Sequence, residues 1–278
     1  LLRGFYTAAA GMLAEQRRVE MLTNNIANAN TPGYKEDEAA LRAFPELLLS
    51  RVQETTTPTS DPASRLHRSP VGSIHTGVYM QELIPNFLQG DVKETGQPTD
   101  IALVDGTVPI DAQTGMKGSL FFVVQNANGD IRYTRNGNFT LDAEGYLTTN
   151  EGYYVLDENN QRIRLNGTDF AVAPDGTITE NNARVARLNV AFAANPNTVV
   201  KEGNGLFRND NGPLPSAVDN PNVTYELKQR FLERSNVDVT RAMTDMLSAY
   251  RSFEANQKIL QAYDRSMDKA VNEIGRLK

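Results

Sequence analysis

The residues able to do chemistry are few, and mostly oxygen donors. The 278-residue chain has no cysteine and two histidines, His67 and His75. Disulfides, zinc thiolates, iron–sulfur centres and thiol nucleophiles are therefore excluded. No HExxH occurs, and a His-based triad has little to draw on. Asp/Asn/Gly clusters at Asn126 to Asp130, Asp157 to Asn160, Asp175-Gly176 and Asn209 to Gly212 look at first like calcium loops. A calcium loop needs oxygen ligands at regular steps and a closing bidentate carboxylate. None of the four completes that pattern, and hairpin turns account for them better. Asp142 and Glu144 could serve a glycosidase only if two acids faced each other across a sugar bond, a geometry that sequence proximity does not provide. Ser69-Pro70 and Ser216 lie in no G-x-S-x-G context. Gly72, Gly77, Gly90 and Gly96 form no phosphate loop. The expectation is a chain with no catalytic residue, no metal and no cofactor.

The elements that would have to position any site divide into helical ends and a β centre. Near the N-terminus, Phe5, Ala9, Met12, Val19 and Ile26 recur at steps of three and four or their sums, with Gln16 and Thr23 as polar members and Ala8, Leu13 and Leu22 beside them. This predicts a helix over about 2–29, stopped by Thr31-Pro32-Gly33, because proline lacks an N–H and glycine accepts positive φ. At the other end Val239, Met243, Met246, Tyr250, Phe253, Gln257, Leu260, Asp264, Met267, Val271, Ile274 and Lys278 follow alternate steps of four and three, and nine of the twelve are apolar. A seam this long reads as a coiled-coil helix of about 40 residues. Met and the aromatics on it read as helix–helix packing rather than a ligand groove.

Between them, short apolar runs alternate with turn signals, as in Leu120 to Val124, Asn128-Gly129-Asp130, then Ile131 to Thr134. That spacing predicts antiparallel β structure. Thr55 to Pro70, rich in Thr, Ser and Pro, reads as a linker or extended loop. The fold class is thus α+β, with long N- and C-terminal coiled-coil helices flanking a central antiparallel all-β domain. The divisions are a helix with an Asn-rich stretch (1–35), a linker or extended segment (36–71), the β domain (72–232) and the C-terminal helix (233–278). Net charge is −6 without a Lys/Arg cluster, which argues against nucleic acid as a partner. No apolar run approaches the roughly 20 residues of a membrane span, so no membrane insertion is expected. The first residues show no secretory signal pattern. Unprocessed export by a dedicated machine would look the same.

The stretch Asn24-Asn25-Ile26-Ala27-Asn28-Ala29-Asn30-Thr31-Pro32-Gly33-Tyr34-Lys35 resembles the N-terminal signature of flagellar rod and hook proteins, carried here by Asn24, Asn25, Ile26, Asn28, Thr31, Gly33 and Tyr34. Gln89-Gly90, Thr95-Gly96 and Pro98 to Ala102 resemble the opening of that family's β domain. Tyr133 to Phe139, Asp142 to Leu147 and Gly152-Tyr153 resemble its next blocks, and Ser235 to Val239 its approach to the last helix. The family usually has a short Gly-Phe-Phe turn where this chain has Gly106 to Gly118 before Leu120-Phe121-Phe122. Arg42 to Glu46 looks closer to the rod subtype than to the hook protein. Leu1 falls where the family places its initiator methionine.

The resemblance implies a structural subunit of the bacterial flagellar rod, in the hook–basal body outside the cytoplasmic membrane. It implies export, unfolded and uncleaved, through the flagellar type III apparatus. Partners would be further copies of the chain in a helical tube, other rod and hook proteins, and that apparatus. The seam packing copies together would be Phe5, Ala9, Met12, Val19 and Ile26 with Val239, Met243, Met246, Tyr250, Phe253, Leu260, Met267, Val271 and Ile274. The competing classes are a cell-wall remodelling hydrolase and a subunit of another secreted filament.

Overall fold

The computed structural model describes residues 2–54, 66–111 and 115–274. It divides into two units, the first made of Leu1–Asn24, Glu38–Leu83 and Thr240–Lys278, the second of Asn25–Asp37 and Ile84–Val239.

The first unit holds most of helix α1 (Leu2–Ala27), strands β1 (Asp37–Ala43), β2 (Leu47–Glu54), β3 (Leu66–Ile74) and β4 (Val78–Pro85), and helix α2 (Val239–Lys269), which runs on into a π-helical turn at Ala270–Ile274. The helices run antiparallel where they touch. A Cβ on Gly4 would overlap Tyr263 Oη, one on Gly11 would lie 3.1 Å from Asn256 Nδ2, and Thr23 Oγ1 lies 3.8 Å from Met246 Sδ. Small residues thus mark the helix contact. Ala8 and Ala14 are buried on α1, and Ala242 and Ala249 on α2. The stripes read from sequence are less completely buried than these small residues. Phe5, Ala9, Met12, Val19, Ile26, Met246, Phe253 and Leu260 are half-buried, while Val239, Met243, Tyr250, Met267 and Val271 are exposed in the single chain. No helix among the described residues is long and apolar enough to cross a membrane.

The segment read as a linker, 36–71, is largely strand in its described residues. β1 pairs with β4, and β2 with β3 in register from Leu47↔Ile74 to Glu54↔Leu66. β2 and β3 pair with each other alone and leave Leu47, Leu48 and Val71 exposed instead of building a core. Residues 55–65 of that reading lie outside the described residues. The stretch 72–83, assigned to the β domain, belongs to the first unit.

The second unit is built from antiparallel strands: β5 (Val92–Glu94), β6 (Ile101–Asp105), β7 (Ser119–Gln125), β8 (Ile131–Thr134), β9 (Phe139–Leu141), β10 (Leu147–Thr149), β11 (Tyr154–Val155), β12 (Phe170–Val172), β13 (Thr177–Glu180), β14 (Ala183–Arg187), β15 (Val190–Ala193), β16 (Val199–Gly203), β17 (Leu206–Asn209), β18 (Tyr225–Gln229) and β19 (Phe231–Glu233). The main sheet runs β16-β17-β8-β7-β11-β10-β9. β15 pairs with the first half of β7, on the edge whose second half takes β11. β7 is buried on both faces, which is why it reads as an unbroken apolar run. Leu120, Phe122 and Val124 enter one core, and Phe121 and Val123 enter a second with Tyr133 and Phe207. β12-β13-β14 form a small separate sheet, β18 pairs with β6, and β19 with β5. The long Gly106 to Gly118 stretch folds back on itself through an Ile110↔Lys117 bridge.

Candidate functional site

The Asp/Asn clusters are spent on turns. Asp142 Oδ1 accepts from the amides of Glu144 and Tyr146, Asp157 Oδ1 from Asn159 and Gln161, and Asn126 Oδ1 from Asn128 and Asp130. Asp175 accepts from both the amide and the hydroxyl of Thr177, and these bonds hold its carboxyl below the usual range. His75 meets Glu46 at 3.2 Å, both exposed.

The second unit hides a different group of polar residues, and it starts at the Asn-rich stretch. α1 closes in i→i+3 turns, with the amides of Asn28, Ala29 and Thr31 bonding the carbonyls of Asn25, Ile26 and Asn28. Gly33 follows with φ +67°, and a Cβ there would clash with the backbone of Arg135. Glycine is thus required by conformation and by space. The fully buried Asn25 carboxamide reads the backbone of Asp37 twice, donating to its carbonyl (2.9 Å) and accepting from its amide (3.0 Å). Tyr34 Oη donates to Asn25 Oδ1 at 3.0 Å. Burial beside the Asp37 carboxylate drives the Tyr34 phenol well above its ordinary value. Lys201 Nζ lies 2.9 Å from Asp37 Oδ2 and 3.9 Å from the Tyr34 ring centroid. Ile26, Asn28 and Thr31 are half-buried, and Asn24 is exposed in the first unit.

One residue further on, Lys35 enters a charge cluster. Its ammonium donates to Glu233 Oε1 and to the Leu88 carbonyl, each at 2.7 Å. Arg135 Nε donates to Glu233 Oε2 (2.8 Å), and its terminal nitrogens donate to Asp105 Oδ1 (2.8 Å) and to the carbonyls of Leu120 (2.9 Å) and Leu103 (3.2 Å). Side-chain exposure is 1% for Lys35 and Glu233 and 2% for Arg135, so each charge depends on its partners. Burial, reinforced by the nearby Arg135 charge, brings the Lys35 ammonium down to about 8 against the pull of Glu233. Burial pushes Glu233 up, but the charges and hydrogen bonds of Arg135 and Lys35 prevail and leave it below the usual carboxylate range. Burial likewise opposes the Arg135 charge, and Glu233 and Asp105 more than restore it. Gly90 N also donates to Glu233 Oε1 (2.9 Å), and Gly33 N to the Glu233 carbonyl (2.9 Å). Asn236 completes the group, accepting from the Glu36 amide (2.8 Å) and donating to the Asn86 carbonyl (2.8 Å).

The structure thus brings together Asn25, Gly33 and Tyr34 of the signature with residues that pattern reading had not singled out as a site: Lys35, Asp105, Arg135, Lys201 and Glu233. Lys35 and Arg135 lie in stretches that carry the family resemblance. Glu233 gives no local signal, since an acid before Arg234-Ser235 looks like a surface residue. Each carboxylate in the group has a cationic partner: Asp37 has Lys201, Asp105 has Arg135, and Glu233 has both Lys35 and Arg135. Its chemistry is cohesion, joining residues that lie from 30 to 198 positions apart in the chain.

Comparison with known proteins places those segments. Residues 5–35 match the family described as flagella basal body rod protein, residues 115–180 the flagellar hook protein FlgE/F/G D1 domain, and residues 228–273 the flagellar basal body rod FlgEFG protein C-terminal family. Each of the three supplies one charge to the cluster: Lys35, Arg135 and Glu233. The chain is 50% identical over 278 residues, all of both chains, to the flagellar hook-basal body complex protein FlhO of Bacillus subtilis. It is 30% identical over 272 residues to the flagellar basal-body rod protein FlgG of Agrobacterium fabrum, covering 95% of this chain and 96% of that one. It is 28% identical over 282 residues to FlgG of Bacillus subtilis, covering 98% and 99%.

Proposed function

The chain belongs to the flagellar hook and basal-body rod protein family, a structural protein of the flagellar basal body, and we propose that copies of it stack into a helical tube that transmits torque. The single observation that carries this reading is the outer face of α2. Met243, Leu247 and Tyr250 are 48%, 58% and 52% exposed on consecutive turns, with Val239 one turn before. A contiguous apolar stripe left bare by the chain's own packing suits a protein partner. A heterologous contact, one face against a different face on the next copy, extends without closing. In that assembly the terminal helices pack as coiled coils through Phe5, Ala9, Met12, Val19 and Ile26 and the 239–274 stripe, and other rod and hook proteins continue the column.

The chain crosses the cytoplasmic membrane unfolded, through the flagellar type III apparatus. A sequence without cysteine forms no disulfide that would obstruct threading. No catalysis is assigned to it: of the candidate acids, Asp142 and Asp175 accept bonds from turn amides, as structural turn residues do. Electron microscopy of basal bodies from a strain lacking the chain tests the reading, with missing or shortened rods expected. Complete rods, or clearing of peptidoglycan in a zymogram of the purified chain, would overturn it.

A further inference from the structure

The last strands of the second unit close it onto its first residues. β18 pairs along the whole of β6, from Tyr225↔Asp105 to Gln229↔Ile101, and β19 along β5. The Arg230 amide bonds the Asp100 carbonyl (2.7 Å), and Gln229 Nε2 bonds those of Pro98 (2.7 Å) and Phe170 (2.9 Å). The strand ladder of the main sheet is complete within residues 119–209, and Ile101, Leu103 and Leu227 then cover its larger core.

Between these parts sits a charge problem. Docking residues 33–35 against Arg135 buries an ammonium and a guanidinium in one site. Asp105 supplies one carboxylate there, to Arg135. The other is Glu233, which Lys35 and Arg135 share through its two oxygens. Without it the site would hold two desolvated cations and one anion, an arrangement that low dielectric penalises heavily.

We propose that Glu233 is a closing latch: the main sheet folds first, and residues 25–37 and 84–105 become fixed to it only when the segment 225–233 arrives and its carboxylate is seated between Lys35 and Arg135. Strand pairing across more than 100 residues is slow in any case, because loop closure precedes any gain from contact. The charge arrangement adds a condition, since the N-terminal segment docks stably only in a chain that already holds its C-terminal strands. The proposal concerns folding order and stands apart from the assembly reading.

Pulsed hydrogen–deuterium exchange during refolding of the full chain tests it. The amides of Leu147 and Leu156, bonded within the sheet region, report the first stage. Those of Asp37 and Asn86 report the junction, and their acceptors, Asn25 Oδ1 and the Glu36 carbonyl, lie outside the latch segment. The expected result is early protection of Leu147 and Leu156, then joint protection of Asp37, Asn86, Leu227 and Arg230. Protection of Asp37 and Asn86 before Leu227 and Arg230 would overturn the proposal. In full-length Glu233→Gln, native-state exchange at Asp37 and Asn86 should accelerate at least tenfold while Leu147 and Leu156 stay within twofold of the parent. Unchanged exchange at Asp37 and Asn86 would refute the latch. So would equal acceleration at all four, which would make Glu233 part of the sheet's own core.

Discussion

Replacing Arg135 with methionine isolates what the buried cluster contributes. Methionine keeps much of the side-chain volume and removes four hydrogen bonds, to Glu233, Asp105, Leu120 and Leu103. Lys35 still faces Glu233, but Asp105, 6% exposed at its side chain, loses its ion partner. Breaking one side of a buried pair costs about 3–5 kcal/mol, and the carbonyls left without this donor add to it. A loss of about 4 kcal/mol is expected, a large share of the 5–15 kcal/mol typical of a domain. With an m-value of about 3 kcal/mol/M, the urea midpoint should fall by about 1.3 M. The chain has ten tyrosines and no tryptophan, so near-ultraviolet circular dichroism of tyrosine is the suitable probe. The pH dependence gives an independent check. In the parent, the depressed Glu233 contributes stability that is present above its unfolded value and lost as pH falls through the folded one. In the variant, Glu233 loses the charge that does most to hold it low and keeps only Lys35, so less of its contribution is lost on acidification and the deficit shrinks. The gap between the two proteins should therefore be larger at pH 7 than at pH 5. A midpoint shift under about 0.3 M, or a gap independent of pH, would refute the claim that this cluster holds the second unit together.

Other changes probe other links. Lys35 sits at about 8 when folded against an ordinary 10.5, so the unfolded chain holds more protons between those values and this group's contribution rises with pH. Relative to Lys35→Met, the parent should gain about 1.5 kcal/mol between pH 8 and 9.5, read as diverging urea midpoints; parallel midpoints would contradict the burial argument. Gly33→Ala combines positive φ with a backbone clash and should cost at least about 2 kcal/mol, measurable in the same titration; a neutral result would mean that the turn can rearrange. Tyr250→Asp falls on an exposed helix face, so the monomer should unfold within about 0.5 kcal/mol of the parent while the strain makes no filaments. Normal swimming by that mutant would rule out the α2 face as an assembly contact.

The helical ends and the β centre were legible because their signals are local and periodic. β7 announced itself as five apolar residues in a row, and the Asx turns by their Asn/Asp-Gly spacing. The line of closest helix contact was hidden by chemistry that hydrophobic pattern reading undervalues. Gly4, Ala8, Gly11, Ala242 and Ala249 are small, yet small residues let helices approach. The eye follows Phe5, Met12, Met243 and Tyr250, which are half-buried or exposed. β2 and β3 give a weak signal because they pair only with each other and leave Leu47, Leu48 and Val71 exposed, so no core imposes an alternation on them. The buried cluster was hidden for another reason. Lys35, Arg135 and Glu233 stand about 100 residues apart, and a charged residue in a polar stretch looks the same whether it faces water or a partner of opposite sign.

The polar group under the Asn-rich stretch has a further consequence in its charge count. Lys35, Arg135 and Lys201 are balanced by Asp37, Asp105 and Glu233. Mobile ions weaken charge pairs they can surround, with a screening length of about 8 Å at physiological ionic strength, but hardly reach pairs enclosed by protein. The ionic strength around a basal-body protein therefore acts on its exposed contacts first. Inside the second unit the join at Lys35, Arg135 and Glu233 should hold equally in dilute and in briny surroundings, a weld indifferent to the weather outside. Contacts between apolar faces, by contrast, tighten as excluded salts accumulate. A column built with welded subunits and salt-tightened seams would vary in stiffness with its medium at the joints between copies, not within them.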